Sequence, residues 1–313
     1  MRWMRQSGRP ARALVPLLAA ALLLWVGAAG EARAGAAFAV DSTADAHDAS
    51  PGDGTCATAT VTCTLRAALE EADALAGADT VSVPAGLYTL SLGQLRVTSS
   101  GGVTVTGAGA LSTALQGGGS DRVLEVAPGA AATLADLEVT GGTTTDYGGG
   151  VKDEGTLSLQ DVDVDNNQAV GSYGGGGIAV FAGTLHMTRG SVVSNTAANG
   201  GVNGGGGGVV LAGSNAVTDA GENASFDGTT ISANTALGAG GIAGVYGALT
   251  LTDAHVDDNG TPGGVTCGFG VLAGGTLTMS GGSVNGNCGG GITLGGMGVA
   301  AVSGGAGIHY YFF

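Results

Sequence analysis

The chain is poor in charged and aromatic residues, and it is poorest in lysine. Charged residues make up 11% and aromatic residues 4% of its 313 residues, and Lys152 is the single lysine. So few charges beside 44% hydrophobic residues exclude an intrinsically disordered chain. The 64 glycines do not repeat as Gly-x-y triplets, which excludes collagen. Many short strands joined by glycine-marked turns fit the remaining composition.

The N-terminal 34 residues have the order of a secretory signal. Four arginines lie within residues 1–12, an apolar run covers 13–29, and Ala32-Arg33-Ala34 follows. This order predicts a signal peptide over residues 1–34, and therefore a secreted or cell-surface protein. An uncleaved anchor is the alternative, although the run is shorter than the roughly 20 apolar residues of a span. We expect no membrane span after cleavage.

The net charge of the chain limits the classes of ligand that it can bind. Without residues 1–34, the chain keeps five basic residues against 24 acidic ones, which gives a net charge of about −19. A surface this acidic repels nucleic acid and anionic lipid. It also argues against a polyuronate ligand, unless cations bridge the two.

An internal repeat is the main feature of the sequence. Each unit reads apolar, any, apolar, four residues, Val or Ile, two residues, Asn. The units are Leu157-Leu159-Val164-Asn167, Leu185-Met187-Val192-Asn195, Ala224-Phe226-Ile231-Asn234, Leu249-Leu251-Val256-Asn259 and Leu277-Met279-Val284-Asn287. A sixth, upstream, has Ala132, Leu134 and Val139, with Gly142 in the place of Asn. Short apolar runs follow each unit, and these begin at Val151, Ile178, Val209, Ile242, Val271 and Ile292.

The repeat predicts an all-β fold, a right-handed parallel β-helix solenoid over residues 81–313. Alternation within each run indicates short strands with one buried face, and coils stacked about 4.8 Å apart pair each strand with its equivalents. The variable spacers indicate loops outside a constant core. The apolar end at residues 304–313 predicts an incomplete last coil and leaves open a fragment of a longer surface protein.

The asparagine of each unit forms what we call the Asn column, comprising Asn167, Asn195, Asn234, Asn259 and Asn287. Stacking puts these amides above one another, where they can bond to their copies and to backbone groups. A structural role is favoured over a catalytic one. Asparagine also tolerates the left-handed conformation of a tight turn.

Residues 35–80 differ from the repeat and hold the only helical pattern. A helix is predicted over Thr64–Ala76, with Leu65, Leu69, Ala72 and Ala76 on its apolar face and Glu70, Glu71 and Asp73 outside. A solenoid end exposes strand edges and core. We therefore expect this short helix to cap the N-terminal end.

The four cysteines predict two disulfides in a secreted chain. Cys267 lies four residues before Val271, and Cys288 lies four before Ile292, so both take the same place in adjacent coils. Stacking brings their Cα atoms within disulfide range. Cys56 and Cys63 are expected to close a small loop before the helix. The spacing matches no zinc pattern.

The candidate chemistry rests on carboxylates. Asp161, Asp163 and Asp165 alternate along one strand and are expected to share one face, with Asp153 a turn away. They are candidates for a carbohydrate or calcium site, since calcium prefers carboxylate oxygens. A solvated strand face is the simpler interpretation, and an acid/base pair of a glycosidase is another. No cofactor is otherwise expected.

A second, weaker candidate is a metal site in the N-terminal segment. His47 has Asp41, Asp45 and Asp48 nearby in the sequence. No motif for a catalytic serine is present.

Two stretches carry a resemblance to known families. The segment Phe38-Ala-Val-Asp41, with Gly52-Asp-Gly-Thr-Cys56 and Cys63-Thr-Leu-Arg-Ala-Ala68, resembles the N-terminal module of CSLREA-domain proteins. Thr64 stands where that signature has Ser, and Ala67 where it has Glu, which removes half of a capping box worth about 0.5–1 kcal/mol.

The later units, such as Ser232-Ala-Asn-Thr-Ala236, are similar to polymorphic outer-membrane protein repeats and to right-handed β-helix repeats generally. These families imply a pectate-lyase-like fold and an extracellular or surface location, mostly with no assigned reaction.

The sequence therefore favours a secreted or cell-surface β-helix with a structural, adhesive or ligand-binding role and no evident catalytic centre. A polysaccharide or another surface protein is the expected partner. The rival hypothesis is a carbohydrate-active β-helix enzyme, a polysaccharide lyase or glycoside hydrolase, that uses Asp161, Asp163 and Asp165. Fold-level analogy does not decide between them.

Overall fold

The structure is a computed structural model that describes residues 35–171, 174–198, 205–212, 222–244, 247–260, 268–295, 298–303 and 307–308. The predicted signal peptide and Cys267 lie outside the described residues.

One helix and a series of short strands make up the described chain. In chain order they are β1 (Ala37–Ala39), α1 (Leu65–Ala74), β2 (Asp79–Ser82), β3 (Gly86–Thr89), β4 (Leu95–Val97), β5 (Val103–Thr106), β6 (Thr113–Gln116), β7 (Leu124–Val126), β8 (Ala131–Thr140), β9 (Thr143–Thr144), β10 (Val151–Asp153), β11 (Thr156–Asp165), β12 (Gln168–Ala169), β13 (Ile178–Val180), β14 (Thr184–Thr188), β15 (Ser191–Val193), β16 (Thr196–Ala197), β17 (Val209–Leu211), β18 (Asn223–Asp227), β19 (Thr230–Ser232), β20 (Thr235–Ala236), β21 (Ala239–Gly244), β22 (Ala248–Thr252), β23 (His255–Asp257), β24 (Phe269–Ala273), β25 (Thr276–Ser280), β26 (Ser283–Val284), β27 (Ile292–Leu294), β28 (Val299–Ser303) and β29 (Gly307–Ile308).

Every strand pair is parallel, and successive coils add one strand to each of three walls. Wall 1 contains β1, β2, β5, the first halves of β8 and β11, β14, β18, β22, β25 and β28. Wall 2 contains β3, β6, the second halves of β8 and β11, β15, β19, β23, β26 and β29. Wall 3 contains β4, β7, β10, β13, β17, β21, β24 and β27. A narrow ladder of β9, β12, β16 and β20 lies between walls 2 and 3. The predicted all-β, parallel β-helix is confirmed.

The repeat positions fill the core in the predicted register. The six apolar starts pair in one continuous column along wall 3: Val151, Ile178, Val209, Ile242, Val271 and Ile292. Leu157, Leu185, Leu249 and Leu277 lie inside wall 1 and are almost fully buried. Each such side chain contributes about 1.5–3 kcal/mol by leaving water, so stacked coils stabilise one another.

Two corners of each coil require left-handed backbone. The first joins walls 1 and 2 and falls at Asp136, Asp161, Arg189, Gly228, Asp253 and Gly281, all at positive φ. The second lies just before the Asn column, at Asn166, Ser194, Ala233, Asp258 and Gly286. The column asparagines themselves are not at positive φ, because the preceding residue makes the turn.

The Asn column forms a continuous buried ladder. The Oδ1 atom of Asn234 accepts from the backbone N and Nδ2 of Asn195 at 2.9 and 3.1 Å. Its Nδ2 donates to Val192 O at 2.8 Å, and its backbone N and Nδ2 both donate to Asn259 Oδ1. Neighbouring members repeat this pattern, and at the N-terminal end Gly142 N donates to Asn167 Oδ1 at 2.8 Å. The amides satisfy backbone groups that water does not reach.

The N-terminal segment contributes both a strand and a helix. β1 extends wall 1 beside β2, while α1 packs on β2, β4 and β5 and buries Leu65, Leu69 and Ala72 in the common core. Thr64 is the N-cap, and its Oγ1 accepts from Ala67 N at 3.2 Å. The helix ends at Ala74 instead of Ala76.

The position predicted for Glu71 on the outer face of α1 is wrong. Its side chain is fully buried, and its carboxylate accepts from the backbone N–H groups of Gly52 and Gly54. Glu71 thereby fixes the loop that precedes the helix. The Cys56–Cys63 disulfide closes that loop, with Cα atoms 5.2 Å apart.

Candidate functional site

The outer face of wall 2 holds most of the candidate carboxylates. One outward column runs through Glu138, Asp163, Ser191, Thr230, His255 and Ser283, and a parallel column runs through Thr140, Asp165, Val193, Ser232 and Asp257. Inward residues such as Val164 and Val192 anchor the strands. All of the side chains in the two columns except Val193 are polar. Because the pairing is in register, they follow one another at the strand spacing of about 4.8 Å.

Asp161 is separated from the two aspartates that follow it. It lies at φ 52°, where β11 bends from wall 1 into wall 2. Its carboxylate binds Arg189 of the next coil, with Nε–Oδ1 at 2.7 Å and Nη2–Oδ2 at 2.5 Å. The hydrogen bonds from Arg189 lower the pKa of Asp161. The expectation that Asp161, Asp163 and Asp165 share one strand face is therefore wrong for Asp161.

Asp163 and Asp165 instead meet Glu138 of the preceding coil. Burial raises the pKa of Glu138 to about 7, and a hydrogen bond and negative charge from Asp165, with the charge of Asp163, act in the same direction. Ser191 Oγ donates to Asp163 Oδ1 at 2.7 Å, and Asn166 Nδ2 donates to Asp165 Oδ2 at 2.7 Å. Near neutral pH the carboxyl group of Glu138 can therefore both donate and accept a proton.

A second polar group, His255, Asp257 and Ser283, lies farther along the same wall. Ser283 Oγ donates to Asp257 Oδ2 at 2.6 Å and lies 2.7 Å from His255 Nδ1. Asn285 N donates to Asp257 Oδ1 at 2.7 Å. Sequence reasoning missed the group because its members lie in two coils; their equal place in the repeat was the available signal.

Residues that the sequence suggested as metal ligands have other surroundings in the structure. Asp153 is on wall 3, buried between Val126 and Val180, so it cannot join the carboxylates of wall 2. Near His47, Asp45 binds Arg66 at 2.6 Å. Among the described residues, no group of three or more His, Cys, Asp or Glu side chains is placed to hold a metal ion.

A cavity of about 270 Å³ lies at the C-terminal end of wall 2. Its lining is the turn formed by residues 284–291, which contains no Asp, Glu, His, Lys or Arg. The titratable groups therefore lie on the open face and not in this cavity.

Only one cysteine of the second predicted disulfide lies among the described residues. Cys288 lies in the turn after β26, whereas Cys267 lies outside the described residues. The Cys267–Cys288 pairing stays a prediction.

In the part of the chain that the structure describes, no helix has the length and apolarity needed to cross a membrane. In comparisons with known proteins, no family model, no curated protein and no solved structure matches the chain.

Proposed function

We propose that the protein is a secreted or cell-surface β-helix that binds a neutral polysaccharide along the outer face of wall 2, in an adhesive or structural role. The observation that carries the proposal is the row of hydrogen-bonding side chains that continues from coil to coil. A polymer of repeating sugars presents hydroxyl groups along its length, and an aligned row of donors and acceptors suits such a ligand.

The contacts on wall 2 favour a preorganised binding face. Asp163 is held by Ser191, and Asp257 is held by Ser283 and by Asn285 N, so both carboxylates keep fixed positions before a ligand arrives. Preorganisation lowers the entropy cost of binding. The excess of acidic residues supports a neutral ligand over an anionic one.

The proposal also includes an extracellular location, a relation to CSLREA-domain proteins and a right-handed winding of the β-helix. The Cys56–Cys63 disulfide supports an oxidising compartment, in agreement with the signal-like order of residues 1–34. Helix α1 beginning after Thr64 supports the resemblance to the CSLREA module. Connections between parallel strands are almost always right-handed, which supports a right-handed winding.

The binding proposal is tested with the purified chain and a panel of insoluble neutral polysaccharides. We expect wild-type protein to sediment with at least one of them. Asp163→Asn turns one acceptor oxygen into a donor, and His255→Ala removes a hydrogen-bonding ring. Each variant should weaken binding by about tenfold, since the hydrogen bond lost in each is worth roughly 1.4 kcal/mol.

Asp227→Asn is the matched control, because Asp227 is an exposed aspartate on wall 1. Its binding should equal that of the wild type. Absence of binding to every polysaccharide, or an equal loss in the control, would refute the proposal for wall 2.

Glu138 favours one second candidate function, a carbohydrate-active enzyme. In glycosidases, the general acid is a carboxyl group whose pKa is raised relative to that of a neighbouring carboxyl group, and Glu138, with a pKa raised to about 7 beside Asp163 and Asp165, resembles such an acid. Release of reducing or unsaturated ends from the same polysaccharides, abolished in Asp163→Asn, would support this candidate over simple binding.

A further inference from the structure

The outer face of wall 1 differs in chemistry from the rest of the molecule. One outward column passes through Thr80, Thr104, Thr133 and Ser158, then His186, and continues through Ser225, Thr250 and Thr278. The neighbouring column, two residues along each strand, contains Thr106, Thr188, Thr252, Ser280 and Ser303, and it is interrupted by Ala135, Gln160 and Asp227. We call this surface the hydroxyl face.

The hydroxyl face is nearly without charge in a strongly acidic chain. From β5 to β28, the outward positions of wall 1 include Asp227 as the single acid, and neither lysine nor arginine. They also include no Phe, Tyr or Trp, so His186 carries the single aromatic ring among these positions. A charged ligand, or one that stacks on several aromatic rings, therefore does not fit this surface.

The spacing of the hydroxyl face is regular in two directions. Neighbouring strands lie about 4.8 Å apart, and outward residues within a strand are about 6.6 Å apart. The pairing of wall 1 is in register from β5 to β28 with no shift, so the two columns form a lattice with hydroxyl groups at most of its points. The β-branched side chain of threonine is restricted at χ1, which fixes its hydroxyl group in space.

We propose that the hydroxyl face binds ice. Each hydroxyl group offers one donor and two acceptors, which matches the hydrogen bonding of water molecules in a crystal surface. Ordering a single water costs up to about 2 kcal/mol, and a rigid lattice of hydroxyl groups lowers that cost by holding waters at regular positions before contact. The hydroxyl face is nearly uncharged and periodic, and it therefore complements the surface of an ice crystal, which is also uncharged and periodic. This inference concerns wall 1 and does not depend on the polysaccharide proposed for wall 2.

The test freezes a buffered solution of the purified chain slowly and measures the protein incorporated into polycrystalline ice, together with inhibition of ice recrystallisation. We expect wild-type protein to enter the ice. The variants Thr250→Tyr and Thr278→Tyr each place a bulky ring at an exposed position of the hydroxyl face, and incorporation should fall to that of a non-binding protein.

Thr55→Tyr is the matched control, because Thr55 is an exposed threonine in the loop before α1, outside walls 1 and 2. It should leave incorporation unchanged, and circular dichroism should show the same sheet content in all four proteins. Exclusion of the wild type from ice, or an equal loss in Thr55→Tyr, overturns the inference. Binding to crystalline cellulose that is lost in the wall 1 variants, without incorporation into ice, also overturns it.

Discussion

Asp153 occupies a position on wall 3 where its neighbours in the adjacent coils are Val126 and Val180. Its side chain is fully buried, and burial raises the pKa of its carboxyl group to about 7. Oδ1 accepts from Gly155 N at 2.9 Å, while Oδ2 has no hydrogen-bond partner. A buried carboxyl of this kind is neutral in the folded protein over much of the acidic range and costs stability once it ionises.

We therefore predict that Asp153 makes the protein less stable as pH rises. The pKa is 3.8 when the chain is unfolded and about 7 when it is folded, so the folded state holds the proton more tightly. The destabilisation grows from about pH 4 and is complete above about pH 7, where it amounts to roughly 4 kcal/mol. Asp153→Asn keeps the acceptor for Gly155 N, and it should remove this loss.

The measurement is urea unfolding of wild type and Asp153→Asn at pH 5 and pH 8. The difference between the two proteins separates Asp153 from Glu138, whose raised pKa adds a slope to both. Asp258→Asn, at an exposed left-handed position that asparagine accepts, is the control and should follow the wild type. Equal pH dependence in wild type and Asp153→Asn would contradict the prediction.

In helix α1, the capping motif of the sequence suggests the wrong effect of a substitution on the stability of the protein. Position 67 lacks the glutamate of a capping box, which suggests that Ala67→Glu would stabilise the helix. In the structure Ala67 is completely buried, and the Thr64 hydroxyl already donates to Ala46 O at 2.6 Å. A glutamate at this position would lose its contact with water and overfill the packing beneath the helix.

We predict that Ala67→Glu destabilises the protein by about 1–3 kcal/mol, the usual cost of overpacking, with the buried charge adding to it. Thermal and urea unfolding measure this change. Ala74→Glu, at the exposed last residue of α1, is the matched control and should change stability by no more than about 0.5 kcal/mol. A stabilised Ala67→Glu variant would show that the capping motif outweighs packing.

The strands were predictable because their pattern has period two and recurs in every coil. The column from Val151 to Ile292 and the inward leucines follow directly from that repeat. The bend at Asp161 was not predictable, because the alternation of Asp161, Asp163 and Asp165 looks like one straight strand. Asp161 binds Arg189, and His255 contacts Ser283, each in the next coil. Such contacts depend on the lengths of the loops between coils, which vary and which the repeat does not determine.

The Asn column is a property of the whole molecule, since its members from Asn167 to Asn259 bond to the coils on both sides. In a solenoid, stability is approximately the sum of coil stabilities and of contacts between neighbours. A substitution in the middle of the column therefore weakens two interfaces. Asn234 is such a member, with partners in the coils of Asn195 and Asn259.

We predict that Asn234→Ala lowers the free energy of unfolding by about 2–5 kcal/mol. The substitution leaves Asn195 N and Val192 O buried without partners, and each buried unsatisfied group costs about 1–3 kcal/mol. The midpoint of urea unfolding, followed by circular dichroism, measures the loss.

Asn285→Ala is the control, because Asn285 is an exposed asparagine in the turn after β26. A change within about 0.5 kcal/mol is expected there. If Asn234→Ala were as stable as Asn285→Ala, the ladder would not link the coils energetically, and apolar stacking alone would hold them together. A loss confined to Asn234→Ala would instead show that the buried amides stabilise the solenoid across neighbouring coils.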